Sequence, residues 1–309
     1  MPQANEVVTA GLSGRIDDIF ASAKERGKSV FSFEIFPPRG DMSVQQAADV
    51  ASQLTDFYPD FVSVTFSAGG SGSHGRAADA TAAIAQLLQD QFNVPSIAHL
   101  TCVGTTKESI SGICEDFRAR GIKNVLALRG DLPADGPVAT DFTLAVDLIR
   151  YLKDEGFCVG AAAYPEGQMD VTDPRKNIDY LKAKQDAGAD FFVTQLCFSN
   201  SLLYRFLDDA HAAGITAPIN CGIMPFLSKS QVQRMIFQCA ASLPSPIIKL
   251  LAKYEDDEAA LRQAGIEYAA RQIVDLVAHG VDGTHLYTMN HPDIARTVKD
   301  RLDAATLVR

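Results

Sequence analysis

Among the six cysteines of the 309-residue chain there is no Cys-x-x-Cys pair. Cys102, Cys114, Cys158, Cys197, Cys221 and Cys239 are scattered, several of them inside apolar runs. That usage suits reduced core thiols in a cytoplasmic protein, not a disulfide framework or a zinc site. There is no Lys/Arg cluster to offset a formal net charge of -10, which argues against a nucleic-acid partner. The first residues, MPQANEVVTAGLSG, lack a basic segment followed by an apolar one, and nowhere do about 18 apolar residues run together. Neither export nor a membrane span is expected. Also missing are a G-x-G-x-x-G fingerprint after the first strand, a G-x-S-x-G elbow, a P-loop Lys-Ser/Thr and a lysine at any strand end. Dinucleotide-fold, serine-hydrolase, NTPase and Schiff-base chemistry are all disfavoured on those absences.

What is present is a chain with 47% hydrophobic residues, enough for a large core. The stretch from Lys123 to Pro133, KNVLALRGDLP, is its clearest element: an apolar run entering Arg129-Gly130-Asp131 and stopped by Leu132-Pro133. An uninterrupted apolar run is how a strand covered on both faces reads. Charges at its carboxyl end should meet a ligand, each other or water.

Alternation extends in both directions. Strands are expected at 30–36, 61–66, 96–103, 123–128, 157–164, 191–198, 217–224 and 284–289. Helices are expected at 43–57, 77–91, 106–120, 142–155, 177–187, 201–213, 228–241, 257–279 and 293–305, with a leading helix over 16–24. The polar residues near the strand ends, Glu34, Thr65, His99, Arg129, Tyr164, Gln195, Met224 and Tyr287, recur about every 30 to 35 residues except for a last gap of roughly twice that. Eight such units favour closure into a parallel (β/α)8 TIM barrel over a doubly wound sheet. With no linker or repeat, residues 1–309 form one barrel domain, residues 1–28 being an extension with the leading helix.

In this architecture the active site lies at the carboxyl ends of the strands. Glu34, among Phe33, Ile35 and Phe36, is expected to be buried with its pKa raised, able to donate a proton; an ion pair with Arg39 is the alternative. His99 reads either as a core histidine or as a mouth residue, and no metal site is readable around it. The glycine-rich stretch Ala68 to Arg76 can present N–H groups to a phosphate or simply connect two elements. Gln195 can both donate and accept, which suits the amide-like edge of a heterocycle. Asn177, Lys182 and Lys184 can reach a phosphate from their helix, or form a solvated face. The mouth so composed suits a large planar ligand served by one acid.

These residues also stand in strings that resemble the flavin-dependent methylenetetrahydrofolate reductases. The strings are SFEIFPPR at 32–39, VSVTF at 62–66, AHLTC at 98–102, LALRGDLP at 126–133, AAYPE at 162–166, DAGAD-x-x-x-TQ at 186–195, GIMP at 222–225 and LYTMN at 286–290. They occur in the family's order and span nearly the whole chain. The resemblance implies a barrel with noncovalent FAD that reduces 5,10-methylenetetrahydrofolate to 5-methyltetrahydrofolate with electrons from NADH or NADPH. It makes Glu34 the general acid and Asp131 the carboxylate near flavin and folate, the two facing a shared ring system. Gln195, Gln231, Tyr287 and His291 join them at the folate, and Thr65, His99, Arg129, Gly130, Asp131, Phe142, Tyr164, Gln168, Asn177 and Lys184 fall at FAD positions. Three positions depart from the pattern: Gln168 stands where a histidine is usual, His291 where an arginine is common, and Met235 about where an aromatic can stack on a nicotinamide. They leave open an enzyme that uses NAD(P)H poorly or runs mainly from methyl- to methylenetetrahydrofolate. Direct hydride transfer from NAD(P)H without FAD, and a non-enzymatic binding barrel, are the rival readings. The resemblance further implies a cytoplasmic protein able to self-associate, with no room for the regulatory domain of animal relatives and so no control by adenosylmethionine.

Overall fold

Eight parallel strands pair in sequence order, and the last pairs with the first, so the sheet closes as the alternation predicts. The structure, a computed structural model, describes residues 14–37, 44–66, 74–131, 141–168, 171 and 173–307. Arg39, most of the glycine-rich stretch and Leu132-Pro133 lie outside the described residues.

The strands are β1 (Val30–Ile35), β2 (Phe61–Val64), β3 (Ser96–Thr101), β4 (Asn124–Leu128), β5 (Cys158–Ala163), β6 (Phe191–Thr194), β7 (Ile219–Ile223) and β8 (Gly283–Tyr287). Around them run α1 (Ile16–Glu25), α2 (Val44–Thr55), α3 (His74–Phe92), α4 (Lys107–Ala119), α5 (Ala145–Asp154), α6 (Pro174–Asp186) and α7 (Asn200–Ala212). The ring continues with α8 (Lys229–Cys239), α9 (Ser245–Lys253), α10 (Glu258–His279) and α11 (Pro292–Leu307). Local chemistry sets several ends. Thr106 caps α4 by accepting from the Ser109 N–H, and Gly121, with φ +72°, follows the end of that helix.

Two differences from the sequence reading have physical causes. The double-length gap before β8 holds an extra helix, α9, whose Ser245-Pro246 start reads as a break. Proline in a first helical turn removes only an N–H that has no intrahelical partner. The sixth strand ends at Thr194 instead of Phe198, so Gln195 lies just beyond the ladder.

Alternation within each strand sorts the core into two regions. Phe33, Ile35, Val62, Val64, Leu100, Val125 and Ala127 face outward and pack with the buried sides of the helices. Val30, Phe61, Ile97, Leu126, Cys158 and Phe191 turn inward at the amino-terminal ends of the strands and meet Ile16, Ile19, Phe20 and Ala23 of α1. The leading helix therefore plugs the barrel floor. Asn124 fixes it there: its Oδ1 accepts from the Ile16 N–H, and its Nδ2 donates to the carbonyls of Gly14 and Ser96, each at 3.0 Å.

The floor leaves no room for growth at Gly160, where a Cβ would lie 2.4 Å from the Phe191 ring. Gly160→Ala should destabilise by about 1–3 kcal/mol through overpacking. Gly112→Ala, inside α4 with open space around it, should instead stabilise by about 0.5–1 kcal/mol. Urea unfolding midpoints of the two variants are expected to move in opposite directions.

Candidate active site

Glu34 occupies the last inward-facing position of β1, with its side chain 12% exposed. Its neighbours differ from the sequence reading. Because Phe33 and Ile35 point outward, the carboxyl does not lie between those two side chains but between two imidazoles. Oε2 is 3.7 Å from Nε2 of His99 on β3 and 3.8 Å from Nε2 of His285 on β8. His99 also shares a 2.8 Å hydrogen bond between Nε2 and Ser63 Oγ. Burial holds its pKa down to about 4, against the opposing pull of the Glu34 carboxylate, so the ring is neutral at physiological pH.

Four members of this layer, Ser32, Ser63, Asn220 and His285, escaped the sequence reading. Each is an inward residue of a mainly apolar strand, in VFSFEI, FVSV, INCGI and GTHLY. A polar residue at an alternate position inside such a strand was the available signal.

The remaining candidates spread around the same rim. Glu34 and Asp131 share it, though they follow strands β1 and β4, which are not adjacent. Asp131 is exposed to water. Gly130 precedes it with φ +87°, and a Cβ there would press within 3.0 Å of Thr101 and Val103. Arg129 is half-buried, with Nε 3.3 Å from the Gly130 carbonyl. Thr65 is buried, and its Oγ1 has no hydrogen-bond partner. Phe142 turns into the core, edge-on to Tyr151 at 5.6 Å.

Tyr164, Gln168, Asn177 and Lys184 come together around one narrow cleft. The spacing of Asn177, Leu181 and Lys184 puts all three on the buried face of α6, whereas Lys182 is exposed and pairs with Asp186. Asn177 Nδ2 donates to the Tyr164 carbonyl, and Lys184 Nζ donates to the Ala162 carbonyl at 2.7 Å and lies 5.2 Å from the Tyr164 ring centre. Burial alone pushes the Lys184 pKa down to about 8.

Over the opposite side lie β8 and α8. The Tyr287 hydroxyl donates to the Thr194 carbonyl at 2.7 Å, and burial, then the Glu34 carboxylate, push its pKa well above the usual value. Gln195 uses Oε1 to accept from the Leu196 N–H. Gln231 is committed locally: Oε1 accepts from the Leu227 N–H and Nε2 contacts Met289 Sδ. His291 is exposed at the start of α11, and Met235 is buried in the cluster beneath α8 and α9. Glu166, in the loop after β5, accepts from the Ser242 N–H beyond α8 and so ties the two loops together. Burial, and then the Asp131 carboxylate, push up the pKa of Cys239 at the end of α8.

A polar layer built on a mouth-facing glutamate in a closed barrel narrows the families that fit, and one family profile, methylenetetrahydrofolate reductase, matches residues 19–303. The chain belongs to the methylenetetrahydrofolate reductase family. It is 34% identical over 292 residues to methylenetetrahydrofolate reductase (NADH) 1 of Arabidopsis thaliana, covering 89% of this chain and 48% of that one. The chain thus spans about half the length of the eukaryotic relatives it matches. A bacterial relative, 5,10-methylenetetrahydrofolate reductase of Pectobacterium carotovorum subsp. carotovorum, is 30% identical over 277 residues, covering 89% of this chain and 91% of its own. Among solved structures, an uncharacterized Clostridium thermocellum protein described as binding two copies of 5-methyl-5,6,7,8-tetrahydrofolic acid superposes with a TM-score of 0.62. At 14% identity, over 93% of this chain and 99% of that one, it shares the fold. Among the described residues of this methylenetetrahydrofolate reductase family member, no helix is long and apolar enough to cross a membrane.

The buried ammonium in the α6 cleft has a measurable consequence. The folded state binds the Lys184 proton less tightly than the unfolded chain, so stability should rise as pH climbs from about 8 to about 10.5. Lys184→Met should abolish that rise, which is on the order of 3 kcal/mol. Chemical unfolding of both proteins below and above this window checks it.

Proposed function

We propose that the chain is an oxidoreductase of one-carbon metabolism, interconverting 5,10-methylenetetrahydrofolate and 5-methyltetrahydrofolate with noncovalent FAD and with NADH or NADPH as electron donor. The observation that carries this reading is Glu34: one nearly enclosed carboxyl at the mouth of a barrel of this family. The names of the plant and bacterial relatives, and the methyltetrahydrofolate of the Clostridium thermocellum protein, support the substrate class.

Glu34 delivers a proton to the imidazolidine ring of the folate, which opens to the cationic iminium form. Asp131 offers a carboxylate at the rim to stabilise that cation. Gln195 presents an amide to the pterin edge, and Tyr287 walls the mouth beside Glu34.

The residues present fit FAD on two grounds. Thr65 Oγ1 is a buried polar atom without a partner, and Lys184 is a buried cation whose ionised form an anionic group would stabilise. Thr65, His99, Arg129, Gly130, Tyr164, Asn177 and Lys184 would hold it, with Gln168 beside them. When bound, FAD supplies the hydride relay between nicotinamide and folate. The barrel's own contribution is to orient the ligands, exclude water and hold the proton on Glu34.

Glu34→Gln should lower folate turnover about 100-fold or more while folding and flavin content are retained. Unchanged turnover in that variant would remove Glu34 as the acid, and no turnover by the wild-type chain would reduce it to a binding barrel. Purified protein should be yellow, and anaerobic mixing with NADH, NADPH or methyltetrahydrofolate identifies the donor by bleaching of the flavin. Colourless protein that still turns over folate with NAD(P)H would replace FAD by direct hydride transfer.

A further inference from the structure

The hydrogen bonds behind Glu34 have a direction. Asn220 Nδ2 on β7 donates to Ser32 Oγ at 2.8 Å. Ser32 Oγ in turn lies 2.8 Å from His285 Nδ1 and 3.4 Å from the Thr284 carbonyl. The nearer of the two acceptors open to its own proton is the imidazole Nδ1. A neutral ring that accepts at Nδ1 carries its proton on Nε2. That atom has no hydrogen-bond partner and faces Glu34 Oε2 at 3.8 Å. Among the described residues, the other titratable groups facing Glu34 are His99 from β3, neutral at physiological pH, and Tyr287 from β8; Ser63 is hydrogen-bonded to His99. Both imidazoles address the same oxygen, Oε2.

We propose that His285 is a positioning residue: its Nε2–H, fixed by Ser32 and Asn220, turns its positive end to Oε2 of Glu34 across 3.8 Å, beyond hydrogen-bond length, and so favours the acid proton on Oε1. A carboxylic acid keeps its proton on the oxygen that does not face an N–H dipole. The relay thus selects which oxygen serves as acid and keeps it from being spent on the barrel wall. The role in turnover rests on the reading of the preceding subsection; the tautomer does not.

The test has a spectroscopic arm and a kinetic arm, both on the full chain. In nitrogen-15 spectra of the histidine side chains, with His285 assigned from its loss in His285→Gln, the wild-type ring should show a proton on Nε2 and a bare Nδ1. Ser32→Ala should shift that pattern. In the kinetic arm, His285→Leu removes the donor, so the alkaline limb of the kcat/KM profile for folate reduction should move up by about one pH unit. His285→Gln, whose amide can donate near the place of the ring Nε2–H, should return it towards wild type. A proton on Nδ1 in the wild-type ring would overturn the proposal, as would a His285→Leu profile lowered equally at every pH. Should His285→Leu fail to fold, the wild-type and Ser32→Ala spectra decide. The spectra need no turnover, so absence of folate chemistry would end the functional reading while a proton on Nδ1 would end this one.

Discussion

One carboxyl enclosed between two imidazoles inside a closed sheet is the constraint around which the structure is arranged. A glutamate in this place must be compensated by groups that cannot retreat to solvent, because the closed sheet has no edge from which they could leave. Part of the compensation comes from dipoles: His99 is neutral at physiological pH, and serine and asparagine side chains complete the layer.

A second polar region serves a different purpose. In the α6 cleft, a lysine is buried against a carbonyl and a tyrosine ring, with burial alone shifting it. Burying an ammonium in this way costs stability. The two regions are joined across the mouth by the loop after β5, whose Glu166 is bonded to the chain beyond α8, and by Tyr287, which feels Glu34, Cys239 and Tyr164 together. The extra helix α9 supports that cover, since its Ile247 packs with Met235, Phe198 and Phe226 beneath α8.

The architecture was legible in the sequence because strand and helix periods alternate with little interruption, and because carboxyl-end residues recur at a regular interval. What stayed hidden has definite causes. The α9 helix hid behind two prolines, one of which sits harmlessly in the first turn. Asn177 and Lys184 could be nominated, but only the buried face of α6 separates them from Lys182. Glu34 could be nominated, yet its environment was misjudged: linear neighbours in a strand point the opposite way, so Phe33 and Ile35 say nothing about what Glu34 touches. Its true neighbours come from β3 and β8, far off in the chain. Conversely, Phe142 and Gln231 have side chains occupied in packing and local hydrogen bonding, which their positions in the sequence do not reveal.

The plug that α1 makes beneath Phe61 and Phe191 shuts the amino-terminal end of the barrel. Whatever reaches the inner wall at Glu34 from solvent therefore arrives over the rim at the carboxyl ends of the strands. A helix at the far end of the barrel from that carboxyl thereby sets the direction of approach.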